Sequence, residues 1–197
     1  MSQNPIAAHF QQSLAALELA ANDAALLAVA SNIARSIIDA IRSGNKVLLI
    51  GNGGSAADAQ HLASEIVGRY KKERPGFAAI ALTTDTSALT AIANDYGFEQ
   101  IFARQVESLG QPGDVLLALS TSGRSPNILA ALAAARGRGL VTVGFTGLKG
   151  RSLHDACDHL FVAPSDDTPV IQQIHMTAGH AICDSVERAL ADGADDK

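Results

Sequence analysis

Residues 46–56 read Lys46-Val47-Leu48-Leu49-Ile50-Gly51-Asn52-Gly53-Gly54-Ser55-Ala56, a short apolar run that enters a glycine turn and leaves it as a helical pattern. A run of this length bounded by glycine predicts a strand buried on both faces, with a sharp turn behind it. The same alternation recurs down the chain. Ala78-Leu82, Val115-Leu119, Val141-Phe145 and Leu160-Ala163 are further buried-strand candidates. Amphipathic segments at about 55–70, 86–108 and 126–138 separate them, with a weaker one near 151–157 and a long helix over about 169–191. Strands that are apolar on both faces and alternate with helices predict a parallel sheet covered on each side.

Upstream, Leu14, Leu17, Leu19, Leu26, Leu27, Ile33, Ile37, Ile38 and Ile41 fall near helical spacing, with a break at Asn22-Asp23 and a stop at Ser43-Gly44-Asn45. The reading is α/β: a doubly wound, five-stranded parallel sheet with helices on both faces and an N-terminal helical extension. One domain covers 1–197, with helices over 1–43, the α/β core over 44–191 and a frayed tail over 191–197.

Composition narrows the function classes. The 197 residues are 47% hydrophobic and 18% charged, as in one globular domain, and aromatics are only 4%, so the core is built from small aliphatic side chains. A net charge of −5 argues against a nucleic-acid or anionic-membrane partner, and an anionic substrate must be captured by local donors. Two cysteines, Cys157 and Cys183, without a CxxC pair exclude a disulfide scaffold or zinc ribbon and fit a reducing compartment. No secretory leader pattern opens the sequence, and no apolar run approaches the roughly 18 residues of a membrane span. The expected location is cytoplasmic.

In open parallel sheets ligands bind at the carboxyl ends of the strands, so the loops after strands carry the chemistry. Gly51-Asn52-Gly53-Gly54-Ser55-Ala56 places backbone N–H groups at a helix start, a place for an anion or a polar sugar. It also matches the dinucleotide fingerprint, but the acidic residue that should follow ~20 residues later could only be Asp85, which stands too far away. Ser120-Thr121-Ser122-Gly123-Arg124-Ser125-Pro126-Asn127 offers four hydroxyls ahead of the next helix, where capping requires one. The excess favours a phosphate cradle that needs no lysine.

Asp58, His61, Glu65 and Arg69 recur at three and four residues beside a core face of Ala59, Leu62, Ala63, Ile66, Val67 and Tyr70. His and Glu four apart can bind one metal or work as an acid/base pair, and a solvated polar face is the plain alternative. In the last helix Ile171, Ile174, Ala178, Ala181 and Ile182 form one face, and Gln172, Met176 and His180 another. Both faces are mostly apolar, as in a helix buried on two sides. The basic run Arg69-Tyr70-Lys71-Lys72-Glu73-Arg74 reads as a solvated helix end.

Taken together, Gly51 through His61, Leu82-Thr83-Thr84-Asp85-Thr86-Ser87 with Ala93-Asn94-Asp95-Tyr96-Gly97, Ser120 through Ser125, and Gln172 with His180 resemble the phosphoheptose isomerases of the sugar-isomerase (SIS) domain superfamily. The resemblance spans nearly the whole chain and keeps the motif order. It implies a flavodoxin-like sheet and a homotetramer with active sites between subunits. It implies interconversion of sedoheptulose 7-phosphate and D-glycero-D-manno-heptose 7-phosphate, at the start of the route to lipopolysaccharide heptose. One zinc per subunit is implied, with His61, Glu65, Gln172 and His180 as ligands. Asn52, Gly53, Gly54, Ser55, Glu65, Arg69, Asn94, Asp95, Ser120, Thr121, Ser122, Ser125 and Gln172 match sugar-phosphate contacts, and Glu65 and His180 match the catalytic pair. Gln173 stands where relatives often have Glu and is given no role. The competing expectation is a non-catalytic SIS module, a sugar-phosphate sensor or a replication-initiator-binding regulator, which would lack the Glu65/His180 pair. A phosphosugar isomerase acting on a hexose or pentose would carry the same signals.

Overall fold

A computed structural model describes residues 4–191. Five strands, β1 (Val47–Gly51), β2 (Ala79–Ala81), β3 (Val115–Leu119), β4 (Val141–Gly147) and β5 (His159–Ala163), form one sheet in the order β2-β1-β3-β4-β5. Every neighbouring pair is parallel, with Leu49 opposite Ala81 on one side and Leu117 on the other. Residues 192–197, which hold most of the tail read as frayed, lie outside the described residues.

Alternation along the strands sorts side chains into two layers. Val47, Leu49, Val115, Leu117, Leu119, Val143 and Phe145 face α1 (Pro5–Asn22), α2 (Ala24–Arg42), α3 (Gly54–Val67) and α7 (Thr168–Ala191). Leu48, Ile50, Leu116 and Ala118 face α4 (Thr86–Tyr96), α5 (Ala103–Leu109) and α6 (Pro126–Gly137). β1 and β3 are buried throughout, which explains their uninterrupted apolar runs. By length and composition α2 would pass for a membrane span, contrary to the sequence expectation. One face of it, with Leu26, Ile33, Ala34, Ile37 and Ala40, is buried in the core.

Local chemistry sets the boundaries. Asp23 ends α1 and starts α2, its Oδ1 accepting from the backbone N–H of Ala25 and Leu26, both at 3.0 Å. The expected helix over 86–108 is two, because Gly97 at φ +89° stops α4 after Tyr96 and a 3-10 turn at Phe98–Gln100 follows before α5. The weak segment near 151–157 is a 3-10 stretch over Leu148–Ala156. α3 ends at Val67, with Gly68 as its cap, so Arg69 and Tyr70 lie beyond it, and Val67 is 49% exposed rather than core. Ala181 is also exposed in the protomer. Asp85 caps α4 by accepting from Ala88 N–H at 2.9 Å, the local role that replaces the nucleotide reading.

Two buried polar groups fasten the sheet. At its amino edge Asp114 accepts from Lys46 Nζ at 2.6 Å, the Lys46 N–H at 2.9 Å, the Gln111 N–H at 2.8 Å and Asn45 Nδ2 at 3.1 Å. Burial pushes its carboxyl pKa up, yet these hydrogen bonds outweigh it and hold the group below the usual carboxylate range. At the carboxyl edge His175 of α7 donates from Nε2 to the Thr146 carbonyl at 3.1 Å, between the rings of Phe145 and Phe161. Its Nδ1 is buried without a hydrogen-bond partner.

Burial depresses the His175 pKa from 6.5 to about 4, against the smaller opposing effect of the Thr146 hydrogen bond. Between these values the unfolded chain binds a proton that the folded chain refuses. Stability from this group is therefore complete above pH 6.5 and falls as pH drops through the window to about 4. The full loss is about 3 kcal/mol. Urea midpoints measured at pH 7.5 and 5 should differ by more in the wild type than in His175→Gln, which can still donate to Thr146 but does not titrate. Equal pH dependence in the two proteins would refute this account.

Candidate active site

In the order β2-β1-β3-β4-β5 the chain leaves β1 toward one edge and returns through β3 toward the other, so the loops after β1 and β3 diverge and open a crevice. The two loops singled out in the sequence are these two. After β1, Gly53 adopts φ +57° and no side chain caps α3. A Cβ on Gly54 would stand 2.5 Å from Gln172 Nε2, so the glycine admits the amide of α7 to the start of α3. The Asn52 side chain pairs reciprocally with Asn127, both bonds at 2.9 Å, which ties this loop to the first turn of α6. Asn127 is buried at 1% exposure, and Ser55 is buried as well.

The loop after β3 is held by its own backbone. Ser120 Oγ accepts from the Gly123 N–H at 3.2 Å, Ser122 Oγ accepts from the Arg124 N–H at 3.3 Å, and the Thr121 carbonyl accepts from the Gly147 N–H at 3.1 Å. Gly123, at φ +63°, passes so near Gly150 that a Cβ would lie 2.6 Å from its Cα. Ser125 occupies the cap position of α6 yet makes no capping bond. Its hydroxyl is thus not consumed by the helix, as ordinary capping would require; of the first-turn N–H groups the Asn127 one is open to an anion, since Pro126 has none and those of Ile128 and Leu129 bond to the Ser125 carbonyl.

Behind the loops α3 and α7 run side by side in the same direction. Gln172 meets Gly54, and a Cβ on Gly179 would stand 2.6 Å from Leu62 Cδ2, so the glycine lets α7 close on α3. That contact delivers His180 to the polar stripe. His61 Nε2 lies 3.2 Å from Glu65 Oε1 and 3.0 Å from His180 Nε2, and one donor atom from each residue falls within 4.8 Å of the others. Donors about 2.0–2.1 Å from a tetrahedral zinc stand about 3.3 Å apart, so the set fits a divalent cation and leaves one position open. Gln172 sits two turns before His180 on α7, between this cluster and the glycine loop. Asp58, three residues before His61, buries Oδ2 without a partner; desolvation raises its pKa, against the opposing charge of His61.

Not every expected residue joins this cluster. Arg69, beyond the end of α3, is exposed and pairs with Glu73 at 3.7 Å. Asn94 and Asp95 are exposed on α4, in the opposite layer, with Asn94 Nδ2 donating to Asp95 Oδ1 at 2.7 Å. Three participants were missed or misread. The sequence reading gives Asn127 no role; Tyr70, half-buried against the core as expected, also stacks on the His180 ring; and Arg74 is buried against Glu187 rather than solvated.

A model of the SIS domain matches residues 9–147. A phosphoheptose isomerase of Bradyrhizobium sp. (strain ORS 278) is 67% identical over 96% of both chains. The chain belongs to the SIS-domain family, in its phosphoheptose isomerase branch. Solved phosphoheptose isomerases share the fold: that of Neisseria gonorrhoeae is 41% identical with TM-score 0.87, and that of Francisella tularensis 37% identical with TM-score 0.89. Each covers 93% of this chain and 97% of its own.

His180→Ala removes one of the three converging donors, and the affinity for Zn²⁺ should fall about a hundredfold or more in a competition titration against a chelator of known affinity. Unchanged affinity would exclude His180 from the cation site.

Proposed function

We propose that the chain interconverts sedoheptulose 7-phosphate and D-glycero-D-manno-heptose 7-phosphate, an aldose–ketose isomerisation in heptose biosynthesis that leads toward the heptose of lipopolysaccharide. The family supports the reaction, and one geometric observation supports these residues: Glu65 and His180 converge with His61, on helices that also meet at the glycine loop after β1. On this reading the phosphate rests at Ser120, Thr121, Ser122 and Ser125, after the neighbouring strand β3, and the sugar extends so that C1 and C2 lie beside Glu65 and His180.

The reaction moves a proton between C1 and C2 through an enediol while the two oxygens exchange another. Glu65 and His180 share these transfers and exchange roles with reaction direction. Asn52, fixed by Asn127, and Gln172, seated on Gly54, orient the hydroxyls along the chain. His61, Glu65 and His180, with Gln172 as the fourth donor, would hold one zinc per subunit, which when bound polarises the substrate oxygens. A sensor or initiator-binding module needs no such pair at the end of the sugar.

The reading includes a homotetramer with sites at subunit contacts. Ile6, Phe10 and Leu14, four apart on α1, are 69%, 70% and 60% exposed, and α4 buries no residue in the protomer. Both surfaces suit contacts between copies, across which Arg69, Asn94 and Asp95 would reach a neighbour's site. The free, buried Cys157 and Cys183, whose pKa values burial pushes up to about 11 and about 12, are consistent with a reducing cytoplasm.

Proton NMR in D₂O, with fructose 6-phosphate in parallel, tests the reaction. The aldoheptose should appear from sedoheptulose 7-phosphate alone, with deuterium at C2; no change in either sugar with zinc added would overturn the reading. Glu65→Gln should cut turnover about a thousandfold while leaving sugar-phosphate binding within a few-fold. Retained turnover would remove Glu65 from the chemistry.

A further inference from the structure

The stretch after α3 reads as a solvated basic run, but Arg74 and Glu187 leave only 3% and 2% of their side chains exposed. The Glu187 carboxylate accepts from three successive backbone N–H groups, Tyr70 at 2.8 Å, Lys71 at 2.6 Å and Lys72 at 2.8 Å, and from Arg74 Nε at 3.0 Å. These donors outweigh desolvation and hold the Glu187 carboxyl below the usual range. Arg74 then turns to the open end of α3. Its Nη2 donates to the Glu65 carbonyl at 2.9 Å, and its Nη1 to those of Ile66 at 3.1 Å and Gly68 at 3.2 Å. One guanidinium thus closes the last turn of α3 at the backbone of Glu65 itself.

A buried ion pair adds little stability beyond that of apolar side chains of equal volume. What this pair supplies is geometry, because three N–H groups in a row on one carboxylate fix the path of the loop. Held this way, the loop lays the Tyr70 ring on the His180 imidazole, with centroids 5.6 Å apart and planes 26° apart. His61 meets the same imidazole edge-on, at 5.1 Å and 68°. His180 is boxed on two sides, with Nε2 directed at His61. Glu187 lies seven residues after His180, on the same face of α7, so one helix presents the imidazole and anchors the loop that steadies it.

We infer that Tyr70 is a positioning residue for His180, and that the Arg74–Glu187 pair holds Tyr70 in place. The inference rests on the Glu65/His180 reading above. It predicts that the ring face of Tyr70, rather than its hydroxyl, is what the reaction requires.

Tyr70→Ala and Tyr70→Phe in the full chain test it. Tyr70→Ala should lower kcat for sedoheptulose 7-phosphate about tenfold, with KM within twofold, and move the His180 Hε1 resonance downfield as the ring-current shielding is lost. Tyr70→Phe should restore both kcat and the resonance. If the alanine variant fails to fold, Tyr70→Leu, which keeps apolar volume without a ring face, should show the same losses. Wild-type kcat in the alanine or leucine variant, or a phenylalanine variant as impaired as they are, would overturn the inference. An inactive wild type would overturn the isomerase reading instead, and the His180 resonance would still decide whether Tyr70 fixes the ring.

Discussion

The approach of α7 to α3 is the constraint on which the site depends. Two helices side by side are normally held 8–10 Å apart by the side chains between them. Here glycine stands on one helix at each of two contacts, Gly54 against Gln172 and Gly179 against Leu62, where a Cβ would come within 2.6 Å of the facing side chain. The contacts lie about two turns apart, so they set the register of the two helices as well as their separation. Between and beyond them fall Gln172, His61, Glu65 and His180. A methyl group at either glycine would act on the site through the whole of α7, although neither glycine contributes a functional group at the reacting end.

The loop after β3 solves a different problem. A chain of net charge −5 must bind a phosphate ester, and no lysine stands in that loop. On the proposed reading its hydroxyls and the open Asn127 N–H supply the attraction locally, where a surface field would not. Such a cradle works only if the loop does not relax around an empty centre. The Thr121 carbonyl is tied to the Gly147 N–H, Gly123 rests on Gly150, and His175 anchors Thr146 of the same strand end to α7. The loop after β3 and the His/Glu/His cluster are therefore both referred to α7, which on the proposed reading keeps the phosphate and proton-transfer ends at a fixed distance.

How much of this was legible follows from the range of each interaction. The strands were plain because β1 and β3 are apolar on both faces, and the His61/Glu65 pair because four residues is one helical turn. The two decisive loops were legible as glycine and hydroxyl clusters at strand ends. Arg74 was misread because its partner Glu187 lies 113 residues away, and nothing local distinguishes a buried arginine from a solvated one. Tyr70 packs against the core as its spacing predicts, but its stacking on His180 was not legible because α3 stops at Gly68 and the ring reaches the imidazole from the loop beyond. The convergence of His180 on His61, separated by 119 residues, was recoverable only through the family resemblance. Periodicity reports which face of an element is buried; it does not report what the other faces meet.

The distribution of the remaining expected residues bears on assembly. In a doubly wound sheet helices on opposite faces cannot both reach one crevice unless their loops curl over the strand ends. Asn94 and Asp95 sit in the last turn of α4, a helix on the face away from α3 and α7, and Arg69 lies past the far end of α3. All three are exposed, and among the described residues their polar contacts are with Glu73 and with each other rather than with His61, Glu65 or His180. A closed symmetric oligomer changes the geometry, since each surface is then presented to a neighbour's crevice as well as to its own. The exposed apolar row on α1 and the unburied α4 are the surfaces such contacts would cover. On the proposed tetramer the fold thus divides its labour: one chain builds the phosphate cradle and the proton-transfer pair, and residues it cannot bring to its own site serve the site of another copy.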